Sequence, residues 1–140
     1  MVGIVVASHG SLATGMLDAL ELLSGEQKAI RAIGLQRGDS PDTFVAKVEE
    51  AINAVDEGDG VLALVDLFGG TPSNAVAQLL ARDDLNAVAG VNLPMLLSVV
   101  FARDEMDLKE LTEEAVRASC NSVVDIRHKL FDTNDDEEEF

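Results

Sequence analysis

His9 closes the apolar run Val2–Ala7 and is followed at once by glycine, in Ala7-Ser8-His9-Gly10-Ser11. A histidine at a strand end before glycine is open on one side. Its neutral ring is nucleophilic and available near neutral pH, which suits proton or phosphoryl exchange; a merely structural histidine is the competing reading. To react as a nucleophile, one ring nitrogen must be held as N–H so that the other presents its lone pair, and a carboxylate does this well. Asp66 is the candidate, because it is a charge set at the end of a nearly continuous apolar run, Gly60–Phe68. The alternative for Asp66 is a solvent-facing strand terminus or loop cap. In the turn that follows, Gly69 and Gly70 let backbone N–H groups approach a ligand, and Thr71-Pro72 starts a helix whose N-terminus attracts anions. Thr71 is either a hydroxyl donor to a phosphoryl oxygen or a plain N-cap.

A third turn, Gly90-Val91-Asn92-Leu93-Pro94, also follows an apolar run. None of these turns contains lysine or arginine, so a phosphoryl group would be stabilised by amides, hydroxyls and helix dipoles. The Gly-Lys-Ser/Thr ending of a nucleotide-binding loop is missing, so ATP chemistry is not indicated. His128, within Arg127-His128-Lys129, reads as a surface residue, and Cys120 as a small core residue. Two distant histidines and no cysteine cluster give no metal-ligand spacing, so neither metal nor cofactor is expected.

The elements that must position these groups alternate. Val2–Ala7, Ile30–Leu35, Gly60–Phe68 and Leu85–Val91 read as strands, the first and third as buried ones. Between them lie helical patterns: Leu12–Leu23 with Leu12, Met16, Leu20 and Leu23 on one face, and a helix capped by Ser40-Pro41 with Phe44, Val45, Val48, Ile52 and Val55 inward. A third starts at Thr71-Pro72 with Val76, Leu79 and Leu80 buried; Pro94–Ala102 and Asp107–Ala118 follow, and Ser122–Arg127 reads as a last strand. The expected fold is α/β, an open, mostly parallel doubly wound sheet with helices on both faces. In such sheets the loops at the carboxyl ends of the strands gather at one edge, and ligands bind where strand order reverses.

The 140 residues, 47% of them apolar, suffice for one domain with a real core. It is expected over residues 1–130, with 131–140 as an acidic, disordered tail. Net charge is −16, and the last ten residues carry six of the 26 acidic groups and no base. Such a field disfavours nucleic acid and anionic membranes and favours basic protein partners. No apolar run approaches the ~20 residues of a membrane span, and the N-terminus lacks a basic leader region. With its single cysteine the chain is expected to be cytoplasmic.

Three segments together carry a family resemblance: Ile4-Val5-Val6-Ala7-Ser8-His9-Gly10, Leu64-Val65-Asp66-Leu67-Phe68-Gly69-Gly70-Thr71-Pro72-Ser73-Asn74, and Ala89-Gly90-Val91-Asn92-Leu93-Pro94-Met95. In order and spacing the chain resembles, from residue 2 to about 128, the IIA component of mannose-family sugar phosphotransferase systems. The resemblance implies that phospho-HPr donates a phosphoryl group to Nε2 of His9 while Asp66 holds Nδ1. It implies that His9 then passes the group to a separate IIB component, upstream of membrane IIC and IID components. Thr71 stands where many relatives have serine. The resemblance also implies a homodimer in which the last strand, Ser122–Arg127, is exchanged and runs antiparallel in the other subunit's sheet. The acidity and the acidic tail depart from the family pattern.

Two other readings stay open at this point. One is the phosphocarrier subunit of a dihydroxyacetone kinase, against which the Gly-Gly-Thr-Pro loop and Asn92-Leu93-Pro94-Met95 argue. The other is a non-catalytic module that binds a small anion through the glycine loop and regulates a partner.

Overall fold

The computed structural model of the protein describes residues 1–132. Its first strand, β1 (Gly3–His9), is buried along its whole length except at His9, as a β-branched run covered on both faces must be. Helix α1 (Leu12–Ser24) leads to β2 (Ile30–Leu35), α2 (Pro41–Val55) to β3 (Val61–Val65), and α3 (Gly70–Ala77) to β4 (Leu85–Ala89). Helices α4 (Leu93–Ala102), α5 (Leu108–Cys120) and α6 (Ile126–Phe131) complete the described residues.

All strand pairs are parallel, in the order β2-β1-β3-β4. The chain winds outward from β1 to β2, then crosses back to β3 on the other side of β1. Strand order therefore reverses between β1 and β3, whose carboxyl ends carry His9 and Asp66. Side-chain alternation splits the core in two. Ile4, Val6, Leu62 and Leu64 pack with Leu20, Met95, Leu96, Val99 and Leu111 of α1, α4 and α5. Val5, Ala7, Val61, Ala63 and Val65 pack with Phe44, Val48, Ile52 and Val76 of α2 and α3. The doubly wound parallel α/β architecture is the expected one.

Capping follows the sequence at three starts. The Ser40 side chain accepts from the N–H of Thr43, and Asn92 accepts from Met95. Asp107 and Glu110 form a reciprocal capping box.

Several local expectations need correction. Ser122–Arg127 forms no strand in this chain: residues 122–125 carry no regular structure, and Asp125 caps α6 by accepting from the N–H of His128. Helix α3 begins at Gly70 with Gly69 as its cap residue, so Thr71 is not the N-cap. That helix ends at Ala77, which leaves Leu80 exposed rather than buried. Leu12 and Leu23, on the apolar face expected of α1, are also exposed, because they lie at the helix ends beyond the sheet. Cys120, expected in the core, ends α5 in an exposed position. His128 is at the surface, its Nδ1 paired with Asp132. Of the acidic tail, Phe131 closes α6 and Asp132 follows it; residues 133–140 lie outside the described ones. Among the described residues no helix is long and apolar enough to cross a membrane.

Candidate functional site

The site grows from the last two residues of β1. Ser8 is fully buried; its Oγ accepts from the Ala13 N–H at 2.8 Å and donates to the His9 carbonyl at 3.1 Å. His9, the next residue along the strand, points the other way and leaves 48% of its side chain exposed. Beyond it, the Gly10 N–H donates to the Leu35 carbonyl at 2.9 Å, which ties the turn to the end of β2. The approach is close enough that a Cβ on Gly34 would lie 2.1 Å from the Gly10 carbonyl oxygen.

Asp66 comes from the end of β3, 57 residues away in sequence, and its side chain is only 7% exposed. Its Oδ2 accepts the backbone N–H of His9 at 2.9 Å and lies 2.8 Å from the ring Nδ1. Oδ1 accepts the Leu67 N–H at 3.0 Å. Burial pushes the carboxyl pKa up, but the His9 backbone N–H, the His9 ring and the Leu67 N–H outweigh it and hold it below the usual aspartate value. Asp66 is thus an ionised acceptor near neutral pH. An acceptor-only carboxylate requires Nδ1 to carry the proton, which leaves the lone pair on Nε2.

That lone pair faces the start of α3. A Cβ built on Gly70 would sit 3.4 Å from both Cε1 and Nε2 of His9. Gly69 and Gly70 have φ of 93° and 78°, conformations that favour glycine, so the turn needs them for its path as well as for the space beside the ring. No side chain caps α3, so its first amides point out unanswered by a cap, as a helix start that can receive an anion does. Thr71 is half-buried in the first turn of α3. It borders a cavity of about 150 Å³ shared with Pro41, Val45, Asn74, Ala75 and Gln78.

The fold therefore brings His9, Asp66, Gly69, Gly70 and Thr71 to one edge. The third turn joins them through β3, since the N–H groups of Gly90 and Val91 both donate to the Val65 carbonyl. Asn92 has an anchoring part: its Nδ2 donates to the hydroxyls of Ser119 and Ser122 at 3.1 Å, fastening the end of α5 to this edge. On the loops that carry the pair, Leu12 and Leu67 are half exposed and Phe68 is 89% exposed. Among the described residues no group of three or more His, Cys, Asp or Glu side chains could hold a metal.

Sequence reasoning missed Gly34 and the bridging role of Ser8. An isolated glycine inside a strand pattern signals close backbone approach, and Gly34 is such a glycine. Nothing local marks a serine hydroxyl as buried and doubly bonded.

Chemically, the arrangement is a nucleophilic imidazole nitrogen, its tautomer set by a carboxylate, aimed at a helix N-terminus that can receive negative charge. The chain is similar to known proteins over most of its length. A family model described as "PTS system fructose IIA component" (EIIA-man) matches residues 3–116. The chain is 35% identical over 112 residues to the "PTS system fructose-specific EIIA component" of Bacillus subtilis, covering 79% of this chain and 77% of that protein. It is 33% identical over 130 residues to the "PTS system mannose-specific EIIAB component" of Escherichia coli, covering 91% of this chain but 40% of that longer protein. Among solved structures, phosphotransferase system component EIIA from Streptococcus agalactiae superposes with a TM-score of 0.83 at 28% identity, over 90% of this chain and 98% of that one.

Proposed function

The chain belongs to the EIIA-man family of phosphotransferase-system IIA components, and from that premise we propose that it carries a phosphoryl group on Nε2 of His9, received from phospho-HPr and passed to a IIB component. The observation that carries this reading is the position of His9 between Asp66, 2.8 Å from Nδ1, and Gly70, beside Nε2.

In the forward step the Nε2 lone pair attacks phosphorus, the N–P bond of the donor imidazole breaks, and its electron pair returns to the donor ring. The Nδ1 proton stays on His9, so the phosphorylated ring carries positive charge, which the Asp66 carboxylate faces directly. The transferred oxygens meet the amides at the start of α3, and Thr71 offers a hydroxyl from the same turn. One N–P bond replaces another, so the step is nearly balanced. The protein's contribution is positioning and charge stabilisation. Leu12, Leu67 and Phe68 give a protein donor an apolar rim to cover, which excludes water from the reacting phosphoryl group.

The same reading includes a homodimer. Strand β4 ends the sheet, and Val123, Val124 and Ile126 lie exposed on a segment that has no strand partner among the described residues. Exchange of that segment between two copies would cover both edges and bury Val124 and Ile126, which share one face of the strand.

The decisive experiment is incubation with radiolabelled phosphoenolpyruvate, enzyme I and HPr. A label that is stable to alkali and labile to acid, and that moves on to a IIB protein, is the expected result. A protein that binds anions without becoming labelled would instead be the regulatory module.

A further inference from the structure

Both main-chain polar groups of His9 are held by side chains. The N–H is held by Asp66 from β3, as described, and the carbonyl by the hydroxyl of Ser8. The Ser8 hydroxyl has a second bond, from the N–H of Ala13, the second residue of α1. Ser11, at the cap position of that helix, makes no side-chain cap bond. The first turn of α1 is thus hung on Ser8, from inside the protein, and not on its own cap residue.

We propose that Ser8 is a positioning residue for transfer at His9, acting by fixing the His9 peptide between the start of α1 and Asp66. With N–H and carbonyl both held, the main-chain angles of His9 have little freedom, and the ring has only its own torsions left. The Nδ1 bond to Asp66 then settles those. Releasing the carbonyl would let the peptide rock, and the ring would lose the geometry in which one Asp66 oxygen serves both N–H groups. Transfer geometry tolerates displacements of only about 0.5 Å, so a rocking peptide lowers the rate while leaving the partner-facing rim unchanged. Ser8 is wholly buried and has no path to the phosphoryl group, so it acts only through His9.

This rests on the carrier reading for its kinetic arm but not for its spectroscopic one. The test uses Ser8→Ala and the nearly isosteric Ser8→Cys, whose thiol bonds weakly, in the full chain. Asp107→Ala is the control: it removes the α5 capping box beside Gly60 and Asp84, at the amino ends of β3 and β4 and away from His9. Phosphoryl acceptance from phospho-HPr is followed under single-turnover conditions, and the His9 ring is observed by 15N NMR in the protein alone. The expected result is a tenfold or greater fall in maximal rate for both Ser8 variants, with half-saturation by phospho-HPr unchanged. The ring nitrogens should shift from a single Nδ1–H tautomer toward a mixture, while Asp107→Ala leaves rate and tautomer as in wild type. A rate loss no greater than that of Asp107→Ala, or ring signals unchanged in both Ser8 variants, would overturn the proposal. If wild-type protein takes no label, the carrier reading fails by itself, and the ring signals still decide the role of Ser8.

Discussion

A single oxygen of Asp66, Oδ2, receives both the backbone N–H of His9 at 2.9 Å and its ring Nδ1 at 2.8 Å. Two bonds to one atom fix the residue and its tautomer together. The lone pair on Nε2 and its direction toward Gly70 are consequences of that one contact.

Replacing His9 by alanine should abolish phosphoryl acceptance and leave the fold intact, because the side chain is half exposed and contributes little to either core. Labelling from phosphoenolpyruvate and circular dichroism on the same sample check both halves. Normal labelling of the variant, or an acid-stable label, would move the chemistry to a hydroxyl such as Ser11 or Thr71.

Asp66→Asn should slow transfer by on the order of a hundredfold. The amide oxygen can still accept the Nδ1–H, but the charge that balances the phosphorylated ring is gone. Rapid-quench rates for variant and wild type decide the matter, and equal rates would remove Asp66 from the transfer step.

Stability in acid should depend on the same carboxylate. Its folded pKa lies below the ordinary aspartate value of about 3.9. Its contribution is therefore fully present above that value and is lost as pH falls through the lower, folded one. Urea unfolding midpoints from about pH 6 to pH 3 should fall more steeply for wild type than for Asp66→Asn below about pH 4. Parallel curves would mean that the pair adds nothing to folding.

Gly34→Ala should destabilise the protein by about 1–3 kcal/mol, since its Cβ would meet the Gly10 carbonyl, a backbone atom that cannot swing aside. Transfer should fall with it as the His9 turn is displaced. Gly15→Ala, inside α1 with open space at its Cβ, should instead stabilise by about 0.4–1 kcal/mol. Thermal melts of the two variants should move in opposite directions.

Truncation after Cys120 should leave a monomer with reduced stability, whereas the full chain should scatter light as a dimer at micromolar concentration. A monomeric full-length protein would end the exchanged-strand reading and leave the His9 chemistry untouched.

The sequence by itself determined the four strands, the helices α1 to α5 and the chemical groups they carry. Hydrophobic period and cap residues are local properties: they placed β2 at Ile30–Leu35, started α2 after Ser40, and set His9 and Asp66 at the ends of apolar runs. The three glycine-containing turns were legible for the same reason. Strand order, by contrast, depends on which distant segments pack together, and no local pattern encodes it. Only the tertiary structure put β1 beside β3, and so brought two residues 57 apart into a hydrogen bond. It also decided two matters that turn on neighbours from elsewhere in the chain: Gly34 is needed because Gly10 comes against it, and the Ser8 hydroxyl is buried because α1 folds back over it.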